Sequence, residues 1–351
     1  MASSVGGQEA VAQLLETTVL DGFSTGWQLC VDDGSTQWTT FGGSDFMGTP
    51  IDGATVFNTY CALKPLLPTL LATMVQEGAF SWDGTVGEHL DAATHLKGVT
   101  FRSLLQHRSG VRRPSAVETA GLRADQRVDR ALNAALISPP LEHFETLYTE
   151  SAAWIVLGLA ALASGRGCSL SDLAEVRVLE PLQATSAVDL DESPGRRQGI
   201  NGAAKDGARW PFLIERTSAF DWSSNPGYGG RCSMVGLAVL ARESLDARNG
   251  RGRVLNTDSG QFLTANEPRR WDRSLKRSCS FGGGWLTDLE SHGFGSRLSP
   301  SAFASVGLTG MTCCWAEPEL DLVVAYHLCG VSDTSITIDW LRPAVVSTML
   351  A

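Results

Sequence analysis

Residues 57–65, FNTYCALKP, place the Cys61 thiol three residues ahead of the Lys64 amine. The chain continues as LLPTLLATMVQEGAF (66–80), whose apolar residues recur at helical spacing. On a helix, positions i and i+3 share a face, so thiol and amine are expected to stack one turn apart. Pro65 falls in the opening turn, where a missing N–H costs little, whereas Pro68 is expected to distort a helix ending near Gly78. A lone cysteine among apolar residues is ordinarily inert filler. At a helix start beside an ammonium it is also a sensible nucleophile, because the helix terminus and Lys64 both favour the thiolate.

Working outward, GWQLCVDDGSTQWTTFGG (26–43) reads as two strands around an Asp-Gly turn. Before it, Val11, Leu14, Leu15 and Val19 recur at helical spacing and predict a short amphipathic opening helix. From about residue 80 to 275 helical segments alternate with long loops. They include TFRSLLQHRSG (100–110), AAWIVLGLAALASG (152–165), SLSDLAEVRVLEPL (169–182) and SMVGLAVLARESLDA (233–247). The last third returns to β-rich stretches, FGGGWLTDLE (281–290), LTGMTCCWAEP (308–318) and LDLVVAYHLCG (320–330), before SITIDWLRPAVVSTML (335–350) closes as a helix. The expected architecture is an α/β (α+β) chain in which 1–79 and 276–351 together build a sheet domain. Residues 80–275 form a mostly helical insertion, with the active cleft between the two.

Composition narrows the function classes. Lys and Arg number 28 against 38 Asp and Glu, a formal charge of −10, and no basic cluster exceeds EPRRW (267–271), so nucleic acid is not an expected partner. The opening MASSVGGQEAVAQLLETTVLDG (1–22) lacks a basic start and an apolar core segment, and no apolar run reaches the ~20 residues that span a bilayer. A soluble, cytoplasmic protein without membrane association is the expectation. The 8 cysteines (30, 61, 168, 232, 279, 313, 314, 329) show no metal-type spacing, so no metal is expected and those other than Cys61 read as small hydrophobes.

Four segments, in order, resemble the class C β-lactamase and penicillin-recognising serine hydrolase family. TVFNTYCALKPLLPTLLATMVQEGAFSWDGTVGEHL (55–90) is similar to its Phe-x-x-x-Ser-x-x-Lys segment, and GVTFRSLLQHRSGV (98–111) to its ITIRHLLTHTSGL element. FETLYTESAAWIVLGLAALASGRG (144–167) is similar to the Tyr-x-Asn segment, and FASVGLTGMTCCWAEPELDLVVAY (303–326) to the strand with the Lys/His-x-Gly motif. The resemblance implies a β-lactamase-like fold, an antiparallel sheet flanked by helices with an inserted helical domain. The departures are specific. Cys61 stands at the nucleophilic Ser, Glu150 at the Asn, and Ser305 at the Lys or His that precedes Val306-Gly307.

Carried over residue by residue, the resemblance implies Cys61 as nucleophile, Lys64 as its amine partner and Tyr148 as proton carrier toward the leaving group. The backbone N–H groups of Cys61 and Leu308 would form the oxyanion hole, each donor supplying a few kcal/mol at the transition state. Glu150, Ser305 and Gly307 are supporting candidates, Glu150 as a group that orients Lys64 or takes a proton from an incoming amine. His107 is expected to cap a turn, no spacing ties His143, His292 or His327 to these motifs, and the ten tryptophans, Trp210, Trp222 and Trp285 among them, are expected mostly in the core.

A thioester acyl-enzyme favours attack by amines over attack by water more than an oxygen ester does. The expected activity is therefore a ping-pong acyltransferase that converts an ester or carrier-bound thioester into an amide through Cys61, with a small-molecule donor and an amine acceptor. A carrier protein is compatible with such a donor, and no cofactor is needed. The set resembles ester-to-amide transacylases of capuramycin-type antibiotic pathways. Losing the third-motif cation weighs against penicillin-like carboxylate substrates. Two other readings stay open: a cytoplasmic esterase or amidase with water as acceptor, and a catalytically inactive relative kept for binding.

Overall fold

A computed structural model of the chain describes residues 5–90, 96, 98–111, 126, 145–148, 152–165, 167–190, 198–199, 201, 222–223, 225–307, 310–333 and 336–351. Thirteen strands are present among these residues, in chain order β1 Gly26–Asp32, β2 Gln37–Gly43, β3 Val56–Asn58, β4 Glu145–Thr146, β5 Val188–Asp189, β6 Gln198–Gly199 and β7 Arg231–Cys232, followed by β8 Arg270–Asp272, β9 Arg277–Phe281, β10 Leu286–Thr287, β11 Phe303–Val306, β12 Thr312–Glu317 and β13 Leu322–Cys329. They build a nine-stranded sheet of order β2-β1-β13-β12-β11-β10-β9-β8-β4 and a four-stranded one of order β5-β7-β3-β6.

The large sheet is antiparallel except where β4 joins its edge parallel to β8. Strands from opposite ends of the chain are neighbours in it, since Leu29 of β1 pairs with Tyr326 of β13. Asp33 supports the β1–β2 turn by accepting the N–H groups of Ser35 and Thr36, and Gly34 supplies the positive φ of 81°.

Side chains alternate across the sheet as the pleat requires. Trp27, Leu29 and Val31 of β1, Cys313 and Trp315 of β12, and Val324, Tyr326 and Leu328 of β13 enter one core. The opening helix Val5–Leu20 and the closing helix Arg342–Met349 cover that core with Val11, Leu15, Val345 and Val346. Cys30, Cys314, Ala316, Val323 and Ala325 enter the other, beneath the helices Leu66–Gln76 and Met234–Arg248. Strands buried on both faces read as continuous apolar runs, which is how VVAY appeared in the sequence.

The helix Leu66–Gln76 is buried from Leu66 to Met74, and each fully buried leucine contributes roughly 1.5–3 kcal/mol. Gly78 stops it at φ 76°, its N–H bonded to the Val75 carbonyl. The expected distortion at Pro68 does not occur. Pro68 is the third residue of this helix, in its first turn, where a proline is tolerated. The division of the chain into 1–79 with 276–351 and an insertion 80–275 is a proposal about folding units. The helix Met234–Arg248 and the strands β4 and β8, all within 80–275, build or cover the large sheet.

Candidate active site

The run that opens the family-like segment leaves β3 at Asn58 and enters a tight 3-10 turn, Tyr60–Leu63, before the long helix begins. Tyr60 takes φ 50° to make this corner, an uncommon conformation for a bulky residue and one held here by complete burial and contact with Tyr228. Cys61 follows immediately. The backbone then closes two i→i+3 bonds, Ala62 N–H to Thr59 and Lys64 N–H to Cys61, so thiol and amine share one face of the turn. Lys64 Nζ donates to Cys61 Sγ at 3.1 Å.

Lys64 is 5% exposed, and its ammonium is held from several directions. It donates to the Gly227 carbonyl at 2.6 Å, and lies 5.3 Å from the ring centre of Tyr148 and 5.2 Å from that of Trp154. A carbonyl dipole and two ring faces stabilise a cation here. The Asn225–Gly229 turn delivers the Gly227 carbonyl, with the N–H groups of Tyr228 and Gly229 both bonded to Asn225.

Tyr148 follows β4, and Asp272 fixes its backbone by accepting Tyr148 N–H at 2.8 Å and the Thr146 hydroxyl at 2.9 Å. Ser274 adds a bond from its hydroxyl to the Tyr148 carbonyl. Ser305, on β11, donates to the Cys61 carbonyl at 3.2 Å. At the third-motif position the chain thus has a hydroxyl that ties the Cys61 turn to the sheet. Gly307 comes so close to the same turn that a Cβ there would meet the Thr59 carbonyl at 2.6 Å. Cys61, Lys64, Tyr148, Ser305 and Gly307 all border one cavity of about 250 Å³. Glu150 and Leu308 lie outside the described residues, as do His143 and Trp210.

Cys61 is 6% exposed, but the cavity gives it an opening and Lys64 gives it a charged neighbour. Burial pushes Cys30 and Cys279 up to about 12 and Cys313 to about 11, so each stays protonated. Cys168 alone among the eight is exposed rather than core filler, which corrects the expectation for that residue.

The structure brings in residues that the sequence reading left out. His107 does turn the chain, at φ 55°, with its carbonyl accepting Leu147 N–H, but its ring also walls the cavity against Tyr148, Trp154 and Phe281. Burial, then the charge of Lys64, then His292 hold His107 well below the usual histidine range, so its imidazole is neutral. His292 also lines the cavity, lowered to about 4, chiefly by burial, and bonded to the Ser280 carbonyl at 2.8 Å. His327 is structural, buried between Thr312 and Asn201 and stacked on Phe57. Of the tryptophans, Trp154 and Trp285 line the cavity, whereas Trp222 is in the core. Gly227 acts through a backbone oxygen and offered no side-chain signal, although a Pro- and Gly-rich run such as PGYGG (226–230) is one that favours a turn.

Among the described residues, no group of His, Cys, Asp and Glu is placed to hold a metal, and no helix is long and apolar enough to cross a membrane. Chemically, the arrangement offers a thiol beside a buried lysine, a tyrosine ring 5.3 Å from that lysine's nitrogen in the same cavity, and an apolar cavity wall for an acyl group.

A family model described as Beta-lactamase matches residues 15–337. Comparison with curated proteins finds no significant match. Among solved structures, a family VIII carboxylesterase is similar with a TM-score of 0.79 and 19% identity, over 98% of this chain and 97% of that one. EstCE1, described as a hydrolase with promiscuous acyltransferase activity, gives a TM-score of 0.76 at 14% identity, covering 99% of both chains. The D-amino acid amidase of Ochrobactrum anthropi SV3, complexed with L-phenylalanine amide, gives 0.75 at 16% identity, over 98% of this chain and 97% of that one. Identities this low carry the fold and not the substrate.

Proposed function

Since this chain belongs to the beta-lactamase family, we propose that it is an acyl-transfer enzyme whose nucleophile is Cys61 and whose acyl-enzyme is a thioester. The observation that carries this reading is the 3.1 Å contact from Lys64 Nζ to Cys61 Sγ inside the cavity. A thiolate facing an ammonium is the reactive form of such a pair. The sulfur attacks the donor carbonyl, forming the C–S bond. Collapse of the tetrahedral intermediate breaks the bond to the leaving oxygen or sulfur, which takes a proton from Lys64, with Tyr148 as the carrier. An amine then attacks the thioester and returns its proton to the now neutral Lys64. The amide leaves, and the thiolate–ammonium pair is restored.

The donor is an ester or a thioester and the acceptor an amine, a pairing suited to secondary-metabolite assembly, where a carrier protein is one source of activated acyl groups. The similar EstCE1 is described as a hydrolase with acyltransferase activity, which supports a fold able to pass an acyl group to acceptors other than water. Likeness to a carboxylesterase and an amidase supports a second reading, with water as acceptor.

Intact-mass spectrometry after mixing with p-nitrophenyl esters tests the nucleophile: one acyl adduct is expected on Cys61 and none on Cys61→Ala. Adding primary amines then tests the acceptor. Amide formation that outruns acid release supports transfer. Unchanged acid release with no amide makes the enzyme a hydrolase, and absence of any adduct makes it a binding relative.

A further inference from the structure

His327 lies on β13 and does not border the cavity, yet its hydrogen bonds can be followed into the Cys61 turn. Chemistry fixes the direction of each bond. The Asn58 carbonyl can only accept, so the atom of Asn201 that lies 2.7 Å from it is the amide nitrogen, Nδ2. Asn201 therefore turns Oδ1 toward His327 Nε2, at 2.9 Å, and an oxygen there requires Nε2 to carry the proton. Cys329 Sγ, at 3.5 Å, is a weaker second acceptor for the same proton. Burial keeps the imidazole neutral, lowered to about 3, so Nδ1 is a bare acceptor and takes the Thr312 hydroxyl at 2.8 Å. The result is a one-way relay, Thr312 to His327 to Asn201 to Asn58, in which every member is buried.

Both ends of the relay bear on the nucleophile. Asn58 ends β3, and its side-chain Oδ1 accepts the N–H of Tyr60, the residue at φ 50° immediately before Cys61. Thr312 opens β12, and its carbonyl accepts Gly307 N–H at 2.8 Å. Gly307 in turn packs against the Thr59 carbonyl and Thr312, which a Cβ there would meet at 2.6 and 3.1 Å. The imidazole thus bridges the strand that delivers Cys61 and the strand end packed against its turn. Phe57 stacks on the ring, with centroids 4.2 Å apart, and fixes its plane. A buried polar network satisfied in this way rigidifies one geometry of the groups it joins.

We propose that His327 is a positioning residue for acylation. Through Asn201 and Asn58 on one side, and Thr312 and Gly307 on the other, it holds the Cys61 turn and the end of β11 at the spacing the acyl-transfer step needs. It touches no reacting atom. This inference rests on the reading of Cys61 as the acylated residue, and its test separates the two.

Two reactions of Cys61 are compared in each variant. Acylation by a p-nitrophenyl ester, read as the burst of p-nitrophenol, builds charge on the carbonyl oxygen that well-placed backbone N–H groups must meet. Alkylation by iodoacetamide needs only an accessible thiolate. His327→Leu keeps the bulk and removes both ring hydrogen bonds. Its acylation at saturating ester is expected to slow by about 10- to 100-fold, with half-saturation and alkylation each within about three-fold of wild type. His327→Gln keeps one donor and one acceptor and is expected to recover most of the acylation rate. Asn201→Asp at mildly alkaline pH keeps the shape but has no donor for the Asn58 carbonyl, and is expected to lose acylation as His327→Leu does. Equal acylation in wild type and His327→Leu overturns the proposal, as does an equal loss in His327→Leu and His327→Gln or a parallel loss of alkylation. Should His327→Leu fail to fold, Asn201→Asp decides by the same two rates. Nitrogen-15 NMR checks the relay itself: the proton of His327 is expected on Nε2, and finding it on Nδ1 overturns the proposal. A wild type that is alkylated but never acylated removes the nucleophile reading and this proposal together, whereas a wild-type burst indifferent to His327 removes the proposal alone.

Discussion

The indole N–H of Trp154 donates a 3.2 Å hydrogen bond to the carbonyl oxygen of Lys64. That oxygen is the one to which residue 68 would donate in a regular helix, and residue 68 is a proline. Trp154 therefore joins the Leu67 N–H, at 3.3 Å, as a second donor to that oxygen, while its ring lies beside the ammonium of the same lysine. One side chain ties backbone satisfaction to the electrostatics of the site.

Replacing Trp154 with Phe keeps an aromatic face but removes the donor. A loss of about 1 kcal/mol in unfolding free energy is expected, from the hydrogen bond alone. A several-fold fall in acylation rate should accompany it, because Lys64 is then held less firmly. Denaturant titration and the pre-steady-state burst of p-nitrophenol measure the two separately.

Cys61→Ser exchanges the thiol for a hydroxyl that Lys64 must deprotonate far less favourably. Acylation is expected to slow by at least about 100-fold, on the scale of losing an activated nucleophile. The product ratio of amide to free acid should also fall, since an oxygen ester is less selective for amines. Product analysis at a fixed amine concentration reads that ratio whatever the overall rate.

Gly307→Ala places a methyl 2.6 Å from the Thr59 carbonyl, well inside normal contact. Either β11 or the Tyr60–Leu63 turn must shift, at a cost of about 1–3 kcal/mol. Because that turn carries Cys61, kcat is expected to fall more than KM rises. A full-activity Gly307→Ala enzyme would show that the turn tolerates the displacement.

Stability should decline on the acid side of pH 6.5. His292 is lowered from 6.5 to about 4, and His327 to about 3, mainly by burial, so both stay neutral in the folded chain. The unfolded chain takes up these protons near pH 6.5, so their stabilisation is whole above that value and is lost as pH falls toward 4. Each group changes the slope by at most about 1.4 kcal/mol per pH unit. His327→Gln, remote from the cavity, should remove one such contribution from unfolding free energies measured between pH 4 and 6.5.

The sequence by itself determined what local geometry can encode. Cys61 and Lys64 are three residues apart, so any helical turn sets their side chains on one face. The alternation in β1, β12 and β13 likewise follows from the pleat, and the stop at Gly78 from its positive φ. Ser305 and Gly307 were placed by resemblance to the family's third motif, and they fall at the end of β11 and directly after it.

Tertiary structure decided the rest. The carbonyl that receives the Lys64 ammonium belongs to Gly227, 163 residues away, and the indole that caps its backbone to Trp154, 90 residues away. No periodicity links such positions, since each arrives through a different turn or helix packed on the sheet. The same is true of His107 and His292. Whether a buried imidazole is neutral depends on which groups the fold brings within a few ångströms, and a one-dimensional pattern does not contain that.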